Sequence, residues 1–258
     1  MVTRCSGQVP LAARILPAPP GRARVVLVQT AASILSGDRI GIEIEIGAGA
    51  ALELTTTSAT VAYPAHAPAS QTLDCSVARG GRFAWLPEPL VLARGCDLSL
   101  RVEIRLETDA AALVREFVVL GRHGEHPGRC TSVLSCTLEG APLLRDSIVI
   151  DPTTRDSRLQ LDGAGVFLSL ALLGRRRHQA PLPGELDLAG PGHVCRALGR
   201  DAASVSRTLA ALEPAYAGAL WRDEGAPAEP STTEPSTTAA SAIAAAGSRS
   251  GHAPSRPG

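Results

Sequence analysis

The sequence predicts a mainly β protein, a β-solenoid or β-helical stack of sheets with about two helices. Three observations carry that expectation. Apolar and polar residues alternate with period two through much of residues 1–221. A strand–turn–strand unit recurs about every 30 residues. One segment alone, near the end of the same span, places its apolar residues at convincing helical spacing.

The first unit lies in GIEIEIGAGAALELTTTSAT, Gly41 to Thr60. Ile42, Ile44 and Ile46 alternate with Glu43 and Glu45, Gly47 to Ala50 supply a turn, and Leu52 and Leu54 resume the strand. The pattern returns at Leu73, Cys75 and Val77, turns at Ala78 to Gly81, and resumes at Phe83 and Trp85. It returns again at Val102, Ile104 and Leu106, turns at Glu107 to Ala110, and resumes at Ala112 and Val114. Ile46, Val77 and Leu106 are equivalent positions, 31 and 29 residues apart. Repeats of that size bury their apolar faces on one another. A β-sandwich of evenly sized hairpins would give the same alternation. A fourth, looser unit runs from Cys130 to Ile150 with its turn at Glu139-Gly140-Ala141-Pro142. The helix starts at Asp201 as N-cap, carries Val205, Leu209 and Leu212 on one face and ends before Pro214. It is expected to cover one end or edge of the stack. From Arg222 onward the composition shifts to Ala, Ser, Thr, Pro, Gly and Glu, with EPSTT twice. Residues 1–221 are therefore read as one domain and 222–258 as a disordered tail.

Composition removes several functions. The formal net charge is +0, from 25 basic and 25 acidic residues, which gives no long-range attraction for nucleic acid or an anionic membrane. Every basic residue is arginine, so a P-loop lysine and a Schiff-base lysine are absent. Asparagine is absent as well, which removes a Cys-His-Asn protease arrangement and speaks against an Asn-stacking solenoid carbohydrate enzyme. The six cysteines form no CxxC pair and the N-terminus lacks the apolar core of a signal peptide, so reduced thiols and a cytoplasmic protein are expected. Cys130 and Cys136 fall on one face of a strand. The apolar run from Val166 to Leu173 is too short to span a bilayer.

Few residues suggest chemistry. His123, Glu125, His126 and Cys130 in RHGEHPGRC are nickel- or zinc-compatible ligands gathered in a turn, although an exposed polar loop is the plainer reading of that spacing. In FAWLPEPLVLARG, Pro87 and Pro89 hold Glu88 on a stiff loop after Trp85, either as a strand terminator or as a presented carboxylate. Gly163-Ala164-Gly165 reads as a turn into a buried strand. Arg175, Arg176, Arg177 and His178 read as a solvated element end or a patch for an acidic partner.

These segments, taken in order, resemble the urease accessory protein D family, also called H (UreD/UreH). SGDRIGIEIEIGAGAALELTTTSATVAY matches its GGD start, alternating strand, GA turn and Thr-rich segment ending in Tyr. WLPEP (Trp85 to Pro89), Gly121-Arg122 with Gly124-Glu125, LRDSIVID (Leu144 to Asp151) and GVFLSLALLG (Gly165 to Gly174) follow in family order. The match covers roughly Pro10 to Trp221. Ser36 stands where the family has its first glycine, and Thr57 and Val61 where it has glutamine and lysine.

The resemblance implies a β-helical fold and a protein that is not an enzyme. It implies a maturation chaperone that binds apo-urease with accessory proteins F and G, and E through them, while GTP is hydrolysed by G. No cofactor is held tightly. The same resemblance implies that Ni²⁺ passes transiently, with a passage inside the protein as the expected route. Such a passage needs sparse, weak ligands, because an ion must enter and also leave. The carboxylates in family-like motifs are Asp38, Glu88, Glu116, Glu125, Asp146 and Asp151. Glu88, Glu116, His123, Glu125, His126 and Asp146 are the candidate nickel path; Asp38, Trp85, Pro87, Pro89, Arg122 and Asp151 are structural or partner-binding candidates. Asp38 and Asp146 also suit local turn-fixing. The threonines after Leu54 either line a polar interior or form a solvated edge. The competing reading is a β-solenoid scaffold that binds proteins and no metal.

Overall fold

The computed structural model describes residues 2–177, 182 and 184–222. The EPSTT segment and His178 lie outside the described residues. Strands make up 49% of the structure, wound as a β-solenoid of about 4 turns, and two helices complete it.

In chain order the first strands are β1 (Leu11–Leu16), β2 (Ala23–Gln29), β3 (Arg39–Ile46), β4 (Ala51–Thr56), β5 (Thr60–Ala62), β6 (Ala69–Val77), β7 (Arg82–Leu86) and β8 (Leu90–Leu92). They are followed by β9 (Asp97–Leu106), β10 (Ala111–Val119), β11 (Arg129–Leu138) and β12 (Ala141–Ile150). Helix α1 (Pro152–Asp156), β13 (Val166–Leu173), β14 (Glu185–Asp187), β15 (Gly192–Gly199) and helix α2 (Ala202–Trp221) complete the fold.

β3 and β4 do not pair with each other. The chain turns a corner between them and passes from a five-stranded sheet (β12-β11-β9-β6-β3) to a ten-stranded one (β1-β2-β4-β7-β10-β13-β15-β14, with β5 and β8 beside it). Each later unit repeats the corner one level on. Ile46 pairs with Val77, Val77 with Leu106 and Leu106 with Leu138, all in parallel. The 30-residue recurrence is therefore the rung spacing of the solenoid. The corners share one geometry: Ala50, Gly81 and Ala110 donate to the carbonyls of Gly47, Ala78 and Glu107 at 3.0, 2.8 and 3.0 Å. The third corner position has positive φ each time, at Gly49 (64°), Gly80 (68°) and Asp109 (59°). This explains the Gly/Ala turn after the first isoleucine strand.

The inward faces of the sheets form the main core. Ile40, Ile42, Ile44 and Ile46 all point into it, and burial of each contributes roughly 1.5–3 kcal/mol. A one-residue slip would expose all four, so the register is strongly set. Cys75, Cys96, Cys130 and Cys136 pack in the same core, and all six cysteines are free.

Three expectations need correction. The fourth unit is only half a rung. β11 stacks in parallel on β9, but Glu139 and Gly140, both at positive φ, make a two-residue hairpin into antiparallel β12. Ala141 and Pro142 belong to that strand, which closes the small sheet. Helix α2 does not stop before Pro214. It continues to Trp221 because Tyr216 and Leu220 beyond the proline are fully buried. Nor does α2 cover an end or edge. It lies on the outer face of the large sheet, where Leu212, Tyr216 and Leu220 pack on Ala84, Leu113, Leu170 and Leu172. β10 and β13 are consequently buried on both faces. Among the described residues no helix is long and apolar enough to cross a membrane.

The arginine run after β13 is a solvated element end only in part: Arg176 is exposed and Arg175 half-buried, but the third arginine is not. Arg177 is buried and forks onto Glu185, which accepts a second hydrogen bond from the Tyr216 hydroxyl (2.8 Å). Arg175 donates to the last carbonyls of α2, and Arg176 to those of Leu188 and Gly190. This end of the run is a set of intramolecular clamps.

Candidate functional site

β10 positions the central residues. Ala112, Val114 and Val118 face the inner core, while Ala111, Leu113 and Phe117 face the helix side. Alternation therefore sends Glu116 between the sheets and Arg115 outward. Glu116 crosses the inner space and accepts a hydrogen bond from Ser132 Oγ on β11 (2.5 Å). Burial raises the Glu116 pKa and the charge of Asp146 adds to the rise; the Ser132 hydrogen bond and Arg196 oppose it.

Register extends this polar point into a row. Glu116 lies opposite Ser169 on β13, and Ser169 opposite Arg196 on β15. Arg196 reaches across to Asp146 on β12 and pairs with it. On the other side of Glu116 is a cavity of about 80 Å³, room for a few waters. Its polar lining includes Gln29, Thr56, Thr60, Gln71, Glu88 and Glu116, set among Ile42, Leu73 and Trp85. Gln29 donates to Ser33 Oγ (3.1 Å) and Thr60 Oγ1 (3.0 Å). The threonine segment thus divides: Thr56 and Thr60 line the cavity, while Thr57 and Ser58 are exposed.

Glu88 stands at this cavity, half exposed, on the Pro87–Pro89 loop. Its N–H donates to Thr56 Oγ1 (2.9 Å), and its carboxylate lies 3.9 Å from Arg115. Arg115 fixes the loop by donating to the carbonyls of Leu86 (2.9 Å) and Pro87 (2.8 Å) and to Glu213 of α2 (2.6 Å). Sequence reasoning missed Arg115; a charged residue in the apolar run AALVREFVV was the available signal. Trp85 is buried in the inner core.

His123, Glu125 and His126 sit elsewhere, in the loop between β10 and β11. Arg122 grips Glu125 with two bonds (3.0 and 2.8 Å), and this holds the Glu125 pKa at about 2. His126 Nδ1 lies 3.1 Å from Arg155 Nη1, and His123 is exposed. The structure brings Glu116 and Asp146 into one electrostatic neighbourhood and Glu88 to the same cavity, and leaves the histidine loop apart. Among the described residues no three His, Cys, Asp or Glu side chains gather to hold a metal. Asp38 accepts from the Leu35 N–H (2.8 Å) and fixes a turn; Asp151 caps α1 through Thr154 (2.8 Å). Ser36, at the family's glycine position, accepts from the N–H groups of His66 and Ala67.

Fold and site together define a β-solenoid with a polar seam through an otherwise apolar core. Residues 1–231 match the family described as UreD urease accessory protein. The chain belongs to that family. It is 35% identical over 213 residues to urease accessory protein UreD 3 of Streptomyces griseus subsp. griseus, covering 76% of this chain and 83% of that one. It is 34% identical over 244 residues to urease accessory protein UreD of Frankia casuarinae, covering 80% and 75%. With the Frankia alni protein of the same description it shares 34% identity over 227 residues, covering 78% and 76%.

Proposed function

We propose that this protein is a non-enzymatic maturation chaperone that scaffolds the urease accessory complex on apo-urease and passes Ni²⁺ through its interior. Its partners in this reading are accessory proteins F and G, with E joining through them, in the cytoplasm. The observation that carries it is Glu116, a carboxylate placed between two apolar sheet faces beside a mostly apolar cavity that also takes in Gln29, Gln71, Glu88 and Arg115. Such a group is costly to bury and needs a reason. Hydroxyls, amide oxygens and a few separated carboxylates bind a hydrated Ni²⁺ weakly, which suits transfer; a dense Cys/His array would retain it. The route carboxylates are Glu88, Glu116 and Asp146. His123 and His126 contact the ion at the surface, and Glu125 orders their loop through Arg122.

The test co-expresses urease with its accessory proteins and compares Glu88→Gln, Glu116→Gln and Asp146→Asn with the unaltered chain. Lower nickel per urease active site, with the accessory complex still recovered intact, supports the route. Full activation by every variant rejects it and leaves the metal-free scaffold.

A further inference from the structure

The two sheets end unevenly. Arg196 of β15 meets Asp146 of β12 across the interior, so these two strands face each other. β14 lies one strand further out, and the small sheet has no strand beyond β12 to face it. Leu186 of β14 stands opposite Val194 in the ladder, and Val194 belongs to the inner core, so Leu186 points inward too. It is nevertheless 62% exposed, and Leu198, on the same face of β15, is 46% exposed. The other end of the stack is different. There β1 and β2 also reach beyond the small sheet, but Leu11, Val25 and Leu27 are buried, and Val2 and Cys5 of the N-terminal segment pack against that core. The chain covers one end of its solenoid and, among the described residues, leaves the other bare.

β12 borders the bare end. It pairs with β11 alone, so its second edge presents backbone N–H and C=O groups with no strand partner among the described residues. Its one proline, Pro142, lies at the start beside the hairpin, so no other proline interrupts the edge. Inward-facing Leu144 and Ile148 are only partly buried. On the outer face Arg145 is exposed and makes no hydrogen bond or ion pair among the described residues. An open edge beside exposed apolar side chains is the geometry of strand addition.

We propose that β12 takes up one extended segment of a partner polypeptide, which adds a further strand to the small sheet beneath β14. The inward side chains of that segment are apolar and cover Leu186 and Leu198. Its outward residue opposite Arg145 is acidic, because opposite charges directly across a ladder attract and like charges repel. Backbone pairing supplies the affinity, and the alternation with its one acidic position supplies the selectivity. The inference makes no use of the nickel route.

The test uses the full-length protein and two fluorescently labelled peptides of alternating valine and threonine. They differ only at the central outward position, glutamate in one and arginine in the other. The unaltered chain should bind the glutamate peptide at least about threefold more tightly, and Arg145→Glu should reverse the preference. Binding of the arginine peptide by that variant, with an unchanged melting temperature, shows that it is folded. Leu186→Asp should weaken both peptides. Hydrogen exchange in the complex should slow at β12 and stay unchanged at β3, the opposite edge of the small sheet. No binding, equal affinity for the two peptides, a preference that Arg145→Glu leaves in place, indifference to Leu186→Asp, or protection away from β12 overturns the proposal; Arg145 is then a charge that keeps the edge unpaired.

Discussion

Glu116 on β10 and Ser132 on β11 meet between the two sheets of the solenoid, 2.5 Å apart, in a core that is otherwise mostly apolar. The contact has a pH signature. Because burial raises the folded-state pKa of Glu116, the folded protein holds its proton more tightly than the unfolded chain does. The stabilising contribution is full below the unfolded pKa and is lost as pH rises through the folded one. Glu116→Gln should therefore melt higher than the unaltered protein at neutral pH, with the difference vanishing in acid. Melting curves across that range check it.

The buried Arg177–Glu185 pair should respond in the opposite direction. Burial alone pushes the Glu185 pKa up, but Arg177, the Leu182 N–H and the Tyr216 hydroxyl outweigh it and hold the pKa below the ordinary value. Its contribution is present above the unfolded pKa and lost as pH falls through the folded one. Glu185→Ala removes the carboxylate onto which the buried Arg177 guanidinium forks and should cost about 3–5 kcal/mol in denaturant unfolding. Tyr216→Phe removes one hydrogen bond to the same carboxylate and should cost about 1–3 kcal/mol.

Pro214 sits exposed inside α2, with buried residues on both sides of it in sequence. It cannot donate to the carbonyl one turn back, and its ring crowds that carbonyl. Pro214→Ala should raise stability by about 1–3 kcal/mol, read as a higher denaturant midpoint with an unchanged slope.

Gly121 starts the loop that carries Arg122 and Glu125. It has φ +99°, and a Cβ there would stand 2.2 Å from the Glu125 carbonyl oxygen. Gly121→Ala should cost at least about 1–3 kcal/mol and loosen the Arg122–Glu125 grip, seen as faster amide hydrogen exchange at residues 122–126.

The rungs were legible in the sequence because solenoid register is written locally. Ile46, Val77 and Leu106 are equivalent in pattern and adjacent in space, and the Gly/Ala corners repeat with them. The polar seam was legible in part: Glu116 was named, but Ser169 passes as one polar interruption in VFLSLALL and needs the register to place it opposite Glu116. Arg115 and Glu213, 98 residues apart, share no local signal. Pro214 misled because local propensity favours a helix end there, and the burial of Tyr216 and Leu220 overrides it.

Central to the functional reading is nickel delivery, and urease itself reports it most directly. The measurement compares nickel content per active site, and activity, of urease purified from host cells with and without the gene for this protein. The expected result is assembled but nickel-poor, inactive urease in the deletion, restored by supplying the gene again. Fully loaded urease from the deletion strain would contradict it.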